Sequence, residues 1–280
     1  CDELIDIGSR TGDVPARAVG LAARMCARLE MCDVAGADDD YRAAVELLAE
    51  YPLPALAQQV AVYPPMRAVL AGDLPGAEVA AEQGYEAGRL RSMWAAEGTY
   101  LTHLAEIRRE QGRLDEFEEV IEAVALDERQ GVKNLRALPA IHRGDLDRAR
   151  AIVAQNGGIA PVYANDWRWM GEAVWGTDVA TALGDLDACA SFRDLLAPYS
   201  GLLTRTGTIV SLSGPVDLYL GRLSQALGDD EAATRYFEAS LATCRAIAAP
   251  GWDAHSLIGL GTALGPEEGA VLVRECRALA

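Results

Sequence analysis

Apolar residues recur at three- and four-residue intervals in segment after segment of this chain, and each segment stops at a short polar phrase. Val14, Ala18, Leu21, Ala22, Met25 and Leu29 form the first clear stripe, the spacing of one helical face. A second helix is expected over 41–49 with Val45, Leu48 and Ala49 inward, broken by Tyr51-Pro52-Leu53-Pro54. Pro64-Pro65 is expected to interrupt or start the next helix, which ends near Gly72, with its partner at 75–90. The longest periodic run is 90–110, carrying Met93, Trp94, Leu101, Leu104 and Ile107, and 117–126 pairs with it. Shorter segments follow at 134–141 and 149–154, the latter stopped by Asn156-Gly157-Gly158, before a loop at 159–166. The pairs 167–183 with 189–196 and 216–227 with 232–247 come next. Residues 200–214 are expected to be a long irregular connection, and Pro215 a first helical residue. Ala249-Pro250-Gly251 precedes a last pair, whose second helix, 267–278, is expected to cap the array.

The polar phrase itself repeats. Gly144-Asp145-Leu146-Asp147-Arg148-Ala149 is its clearest copy: a Gly, an Asp, an apolar residue, two spacers and a small residue. Counting degenerate forms, copies begin at Cys32, Gly72, Gly112, Gly144, Gly184, Gly228 and Gly265, in steps of 40, 40, 32, 40, 44 and 37 residues. Gly accepts φ > 0 at a helix end, and the following Asp caps the next helix. The small residue five after Gly lets two helices approach. Each unit therefore reads helix, tight turn, helix. A lone pair cannot bury its apolar faces, but stacked pairs can, and a period of this length marks a stacked array. The expected fold is all-α, an α-α superhelix of about seven helix pairs, in a single domain over 1–280.

Composition narrows the function. At 280 residues and 50% hydrophobic content the chain has ample core. The net charge of −17 repels phosphate backbones, so no direct nucleic-acid contact is expected. No apolar run has bilayer length, and no secretory leader pattern precedes the first helix, so no membrane association is expected. The six cysteines are scattered without a Cys-x-x-Cys pair, which suits free thiols in a cytoplasmic protein. The chain opens at Cys1 within a helical pattern, as expected of a segment of a longer protein.

The turn phrase resembles the tetratricopeptide repeat, whose first helix carries a small residue near its middle; Ala105 and Gly221 match it. Ile107-Arg108-Arg109-Glu110-Gln111-Gly112-Arg113-Leu114 is similar to a phrase in the C-terminal helical region of large bacterial signal-transduction ATPases. Pro198-Tyr199-Ser200-Gly201 and the run Tyr219 to Gly228 are similar to it as well. That class includes LuxR-type and maltose-regulator-like transcriptional regulators and ATPase-linked nucleotide cyclases. The resemblance covers about 14–278. It implies a tetratricopeptide-like solenoid that serves as a sensor or docking arm beyond an ATPase core.

Little in the sequence speaks for catalysis, and neither enzyme activity nor a cofactor is expected. The single lysine, Lys133, belongs to no phosphate-binding loop. His103, His142 and His255 lie in different repeats without metal-ligand spacing, so no metal site is expected. Acid pairs such as Glu118-Glu119 sit at helix starts, where the dipole favours them. No Gly-x-Ser-x-Gly elbow is present. Tryptophan is the outstanding feature: Trp167, Trp169 and Trp175 fall within nine residues. A superhelix lines its concave face with first helices, and Trp94, Asn134, Arg136, Trp167, Trp169, Tyr219 and Arg222 fall on such helices. They are the candidate groove residues, for a small-molecule effector or for a protein or peptide partner; core packing is the competing role for each Trp. A homodimer stays open. A constitutive peptide-docking scaffold is the alternative to a sensor.

Overall fold

The computed structural model describes residues 1–90, 96–125, 133–159, 168–207, 210–266, 269, 271 and 272. Among them are fourteen α-helices and one two-stranded sheet. α1 (Asp2–Thr11), α2 (Val14–Glu30), α3 (Val34–Glu50), α4 (Pro54–Leu70), α5 (Leu74–Leu90) and α6 (Ala96–Glu110) form the first half. α7 (Glu118–Ala125), α8 (Leu138–His142), α9 (Leu146–Gln155), α10 (Trp169–Leu183) and α11 (Leu186–Leu196) follow. β1 (Leu203–Thr206) and β2 (Ser211–Pro215) then precede α12 (Val216–Ala226), α13 (Asp230–Ala246) and α14 (Pro250–Leu264).

The repeated phrase does what its chemistry dictates. All seven of its leading residues have positive φ, from 64° at Cys32 to 86° at Gly265. Asp33, Asp73, Asp145, Asp185 and Asp229 each cap the next helix, accepting the amide of the third residue on at 2.9–3.1 Å. Asp13 does the same from an eighth turn at Gly12 that the repeat count omits. The small residues Ala37, Ala77, Ala149, Cys189 and Ala233 are wholly buried between helices. Consecutive helices pack from α1 to α6 and from α8 to α14, and α6, α7 and α8 meet through the turn at Leu114–Phe117; α2 also packs on α4, α4 on α6, α8 on α10, α10 on α12 and α12 on α14. First helices thus stack on first helices on either side of that turn, in the all-α superhelix expected.

Several local expectations are corrected. The second helix starts at Val34, and it buries Val34, Ala37, Asp40, Ala44 and Leu47. Val45 and Ala49 face solvent instead. Its phase is hidden in the sequence because Asp40 belongs to the buried stripe, where Arg24 and Arg28 neutralise it at 2.7 and 3.0 Å. Pro64 and Pro65 lie inside α4 without ending it. The amide removed at Pro65 frees the carbonyl of Ala61, and Gly84 of α5 lies against it, where a Cβ would come within 3.1 Å. Pro215 closes β2 rather than opening α12, and Pro250 is the first residue of α14. The end of the array at 267–278 falls mostly outside the described residues.

The largest correction concerns residues 200–214, which form an antiparallel hairpin instead of an irregular connection. Leu203 pairs with Pro215, Arg205 with Leu212 and Thr206 with Ser211, with a bulge between Leu203 and Arg205. Every residue of β2 is buried. The hairpin packs on α2, α4, α6, α10 and α12, all first helices, and on α13. It therefore fills the inside of the curve. One apolar cluster joins Met25 and Leu29 of α2 through Leu203 and Leu212 of the hairpin to Cys244 and Trp252. Arg205 reaches Glu30 at 3.1 Å. Gly72 lies so near α14 that a Cβ there would stand 3.0 Å from the Pro250 ring. The array curls until its early and late repeats meet around the hairpin.

Candidate ligand site on the inner face

The inner helices bring charges together in the middle of this curl. α6 carries His103, Glu106 and Glu110 at helical spacing, with Arg109 beside them. His103, Glu106 and Ala105 are more buried than Leu101 and Leu104, so the polar face of α6 points inward. It can do so because other inner helices and the hairpin supply partners. Arg109 donates to Asp178 of α10 at 3.0 Å, to Glu106 at 3.0 Å, to Glu110 at 3.3 Å and to the Tyr219 hydroxyl of α12 at 3.0 Å. The planar fork of arginine suits such multiple recognition. Asp178 takes a second guanidinium from Arg222, at 2.6 Å. Both guanidinium carbons stand 5.9 Å from the Tyr219 ring centre, within cation–π range. Tyr219 donates in turn to the Ser213 carbonyl of β2 at 2.5 Å.

The network extends to α14. His255 lies 3.4 Å from Glu110, and the Trp252 indole also bonds that carboxylate. Ser213 bonds Glu106. Burial pushes the Glu106 carboxyl up, to about 7, against the pull of Arg109. Burial acts on Glu110 in the same direction, but His255 and Arg109 outweigh it and hold that group below the usual carboxylate range. Arg109 and Arg222 likewise overcome burial at Asp178. The two arginines then balance Asp178 and Glu110, with Glu106 the carboxyl that keeps its proton near neutrality. Most of the network is closed to solvent, and its exposed ends are Arg222, with 36% of its side chain accessible, and His255, with 53%.

The sequence candidates divide. Tyr219 and Arg222 come together here, held by Arg109 and Asp178, 110 and 44 residues away respectively. Trp169 is instead core: it is 9% exposed and packs obliquely on Tyr199, with ring centres 4.7 Å apart. Arg136 pairs with Glu122 at 2.8 Å and Asn156 at 2.7 Å, tying α7 to the end of α9. Asn134 is buried at the start of the short turn Leu135–Ala137 that leads into α8. Trp94 and Trp167 lie outside the described residues. Sequence reasoning missed Glu106, Arg109, Glu110, Asp178, Ser213, Trp252 and His255. Two signals were available: Asp178 stands in a helix that is mostly apolar from Ala173 onward, and His103, Glu106 and Glu110 share a helical face.

Among the described residues no group of His, Cys, Asp and Glu is placed to hold a metal ion, and all five cysteines are unpaired. No described helix is long and apolar enough to cross a membrane. Scans of family models, curated proteins and solved structures return no match to this chain.

Proposed function

We propose that the chain is a non-catalytic sensor arm of a bacterial signalling ATPase or transcriptional regulator, reading a small polar effector at the mouth of the inner charge network. The observation that carries this reading is the bridging carboxylate of Asp178. One of its oxygens serves Arg222, which is partly exposed, and the other serves Arg109, which is buried. An effector group that engages Arg222 competes with Asp178. Any change at Asp178 is felt by Arg109, and through Arg109 by Glu106, Glu110 and the hairpin that joins early and late repeats. A ligand with different affinity for two curvatures of the array would shift it between them. The assignment to an ATPase or regulator rests on the family resemblance alone.

The alternative, a constitutive peptide-docking scaffold, calls for a long open groove on the inner face. The hairpin occupies that side, so the geometry favours the sensor. The test is a thermal-shift screen of the purified chain against small carboxylates, inorganic phosphate and nucleotides, read by tryptophan fluorescence. At least one class should raise the melting temperature of the native chain and leave the Arg222→Ala variant unmoved. Equal shifts in both proteins, or none with any class, would reject the site.

A further inference from the structure

A second polar site lies behind the charge network, where α4, α6 and β2 meet. Its cavity is about 10 Å³. Space of that order is enough for one water. His103, Glu106 and Ser211 supply its polar lining, and Met66, Val69 and Leu212 are among its apolar walls. His103 is 5% exposed and Ser211 is 3% exposed. His103 Nε2 and Ser211 Oγ make no hydrogen bond to any described residue. Buried polar atoms without partners are costly, and two on residues that line one small cavity call for a shared partner.

The chemistry of that partner follows from the protonation of His103. Its ring bonds the backbone of Val210, which leaves Nε2 as the nitrogen without a partner. Burial drives the imidazole pKa down to about 4, so the ring is neutral around pH 7. A neutral ring whose Nδ1 hydrogen is engaged presents a lone pair at Nε2. The cavity therefore contains an acceptor, a hydroxyl that both donates and accepts, and a carboxyl. We propose that it is a binding site for a single ordered water, which donates to His103 Nε2, bonds Ser211 Oγ and completes the attachment of the hairpin to α6. This water site involves neither Arg222 nor an effector and does not depend on the sensor function.

Oxygen-17 relaxation dispersion counts long-lived buried waters, and a high-resolution crystal structure locates them. The native chain should show a water within hydrogen-bond distance of both atoms, and Ser211→Ala should show one long-lived water fewer. The same substitution should lower the melting temperature, because it strands the water and His103. In a dry cavity, removing an unpartnered hydroxyl would leave the melting temperature unchanged or raise it. His103→Gln, which keeps a polar atom toward the cavity, should retain the water. Equal water counts in native and Ser211→Ala proteins, with no density at the site, would overturn the proposal. So would a melting temperature that rises in ammonium chloride but not in sodium chloride, since the occupant would then be a cation.

Discussion

Arg109 of α6 and Asp178 of α10 stand 69 residues apart in sequence, yet two guanidinium nitrogens meet one carboxylate oxygen at 3.0 Å each. Both groups are shielded from water, and Glu106 and Glu110 lean on the same guanidinium. Removing Arg109 would leave three carboxyl groups without their shared cation. Breaking a buried pair by deleting one partner costs about 3–5 kcal/mol. Arg109→Met should therefore lower the free energy of unfolding in urea by about that amount at pH 7. A loss below about 1 kcal/mol, the value typical of exposed pairs, would show that water reaches the network.

His103 and Glu106 sit one turn apart on α6 and should give opposite pH dependences. Arg109, Glu110 and Ser213 surround Glu106, with Asp178 of α10 acting on it as well. The folded chain keeps the Glu106 proton up to about 7, whereas the unfolded chain releases it near 4.5. The folded state thus binds more protons across that window, and this group makes stability fall as pH rises through it. His103 does the reverse: it is neutral when folded down to about 4 but takes its proton near 6.5 when unfolded. Its contribution rises with pH between those values. In the native protein the two slopes largely offset each other. Glu106→Gln should expose the rising slope and gain stability relative to native protein above pH 7. His103→Gln should expose the falling one. Denaturant titrations from pH 5 to 8 would resolve slopes of this kind, since one pKa unit corresponds to about 1.4 kcal/mol. Parallel profiles for both variants would contradict the burial of these groups.

The two sides of this molecule were unequally legible. The turns were readable because positive φ, met in all seven copies, and the Asp cap, met in five, are local requirements that a copy satisfies by itself. Cys32 shows how firm they are, since it holds a φ of 64° without being glycine. The hairpin was hidden for the opposite reason. Ser211, Ser213 and Gly214 look like loop residues, and their burial depends on inner helices remote in sequence. The charge network was hidden for that reason too: Glu106 and Asp178 are polar in composition but interior in the fold. The tryptophan cluster left two roles open because a large aromatic residue serves a core as readily as a groove, and Trp169 and Trp175 went to the core.

The turn geometry gives a paired prediction. Gly144 has φ of 76° and open space where a Cβ would go, so substitution there meets backbone strain alone. Gly144→Val should cost roughly 1–2 kcal/mol. Cys32 bears the same strain in the native chain, and Cys32→Gly should relieve it, for a gain of up to about 1 kcal/mol after the added freedom of the unfolded chain is counted. Chemical denaturation of the two variants beside the native protein would check both signs. Unchanged stability of Gly144→Val would mean that this turn does not constrain the array.

Phe237 of α13 provides the sharpest test of how the inner helices stack. Its ring lies between two glycines of successive first helices. A Cβ on Gly221 of α12 would stand 2.7 Å from the ring, and a Cβ on Gly259 of α14 would stand 2.3 Å from it. Phe237 is fully buried, so the ring has no free direction in which to move. Gly221→Ala and Gly259→Ala should each cost about 1–3 kcal/mol from overpacking, despite the better helix propensity of alanine. Phe237→Leu should also destabilise, through lost apolar contact. In combination the effects should not add. A smaller side chain at position 237 makes room for the new methyl, so Gly221→Ala should cost less when Phe237→Leu is already in place, by roughly 0.5–3 kcal/mol. A double-mutant cycle in urea measures this coupling directly. Strict additivity would show that α12 and α14 do not close on the same ring, and the stacking of first helix on first helix would then fail where the repeat is most regular.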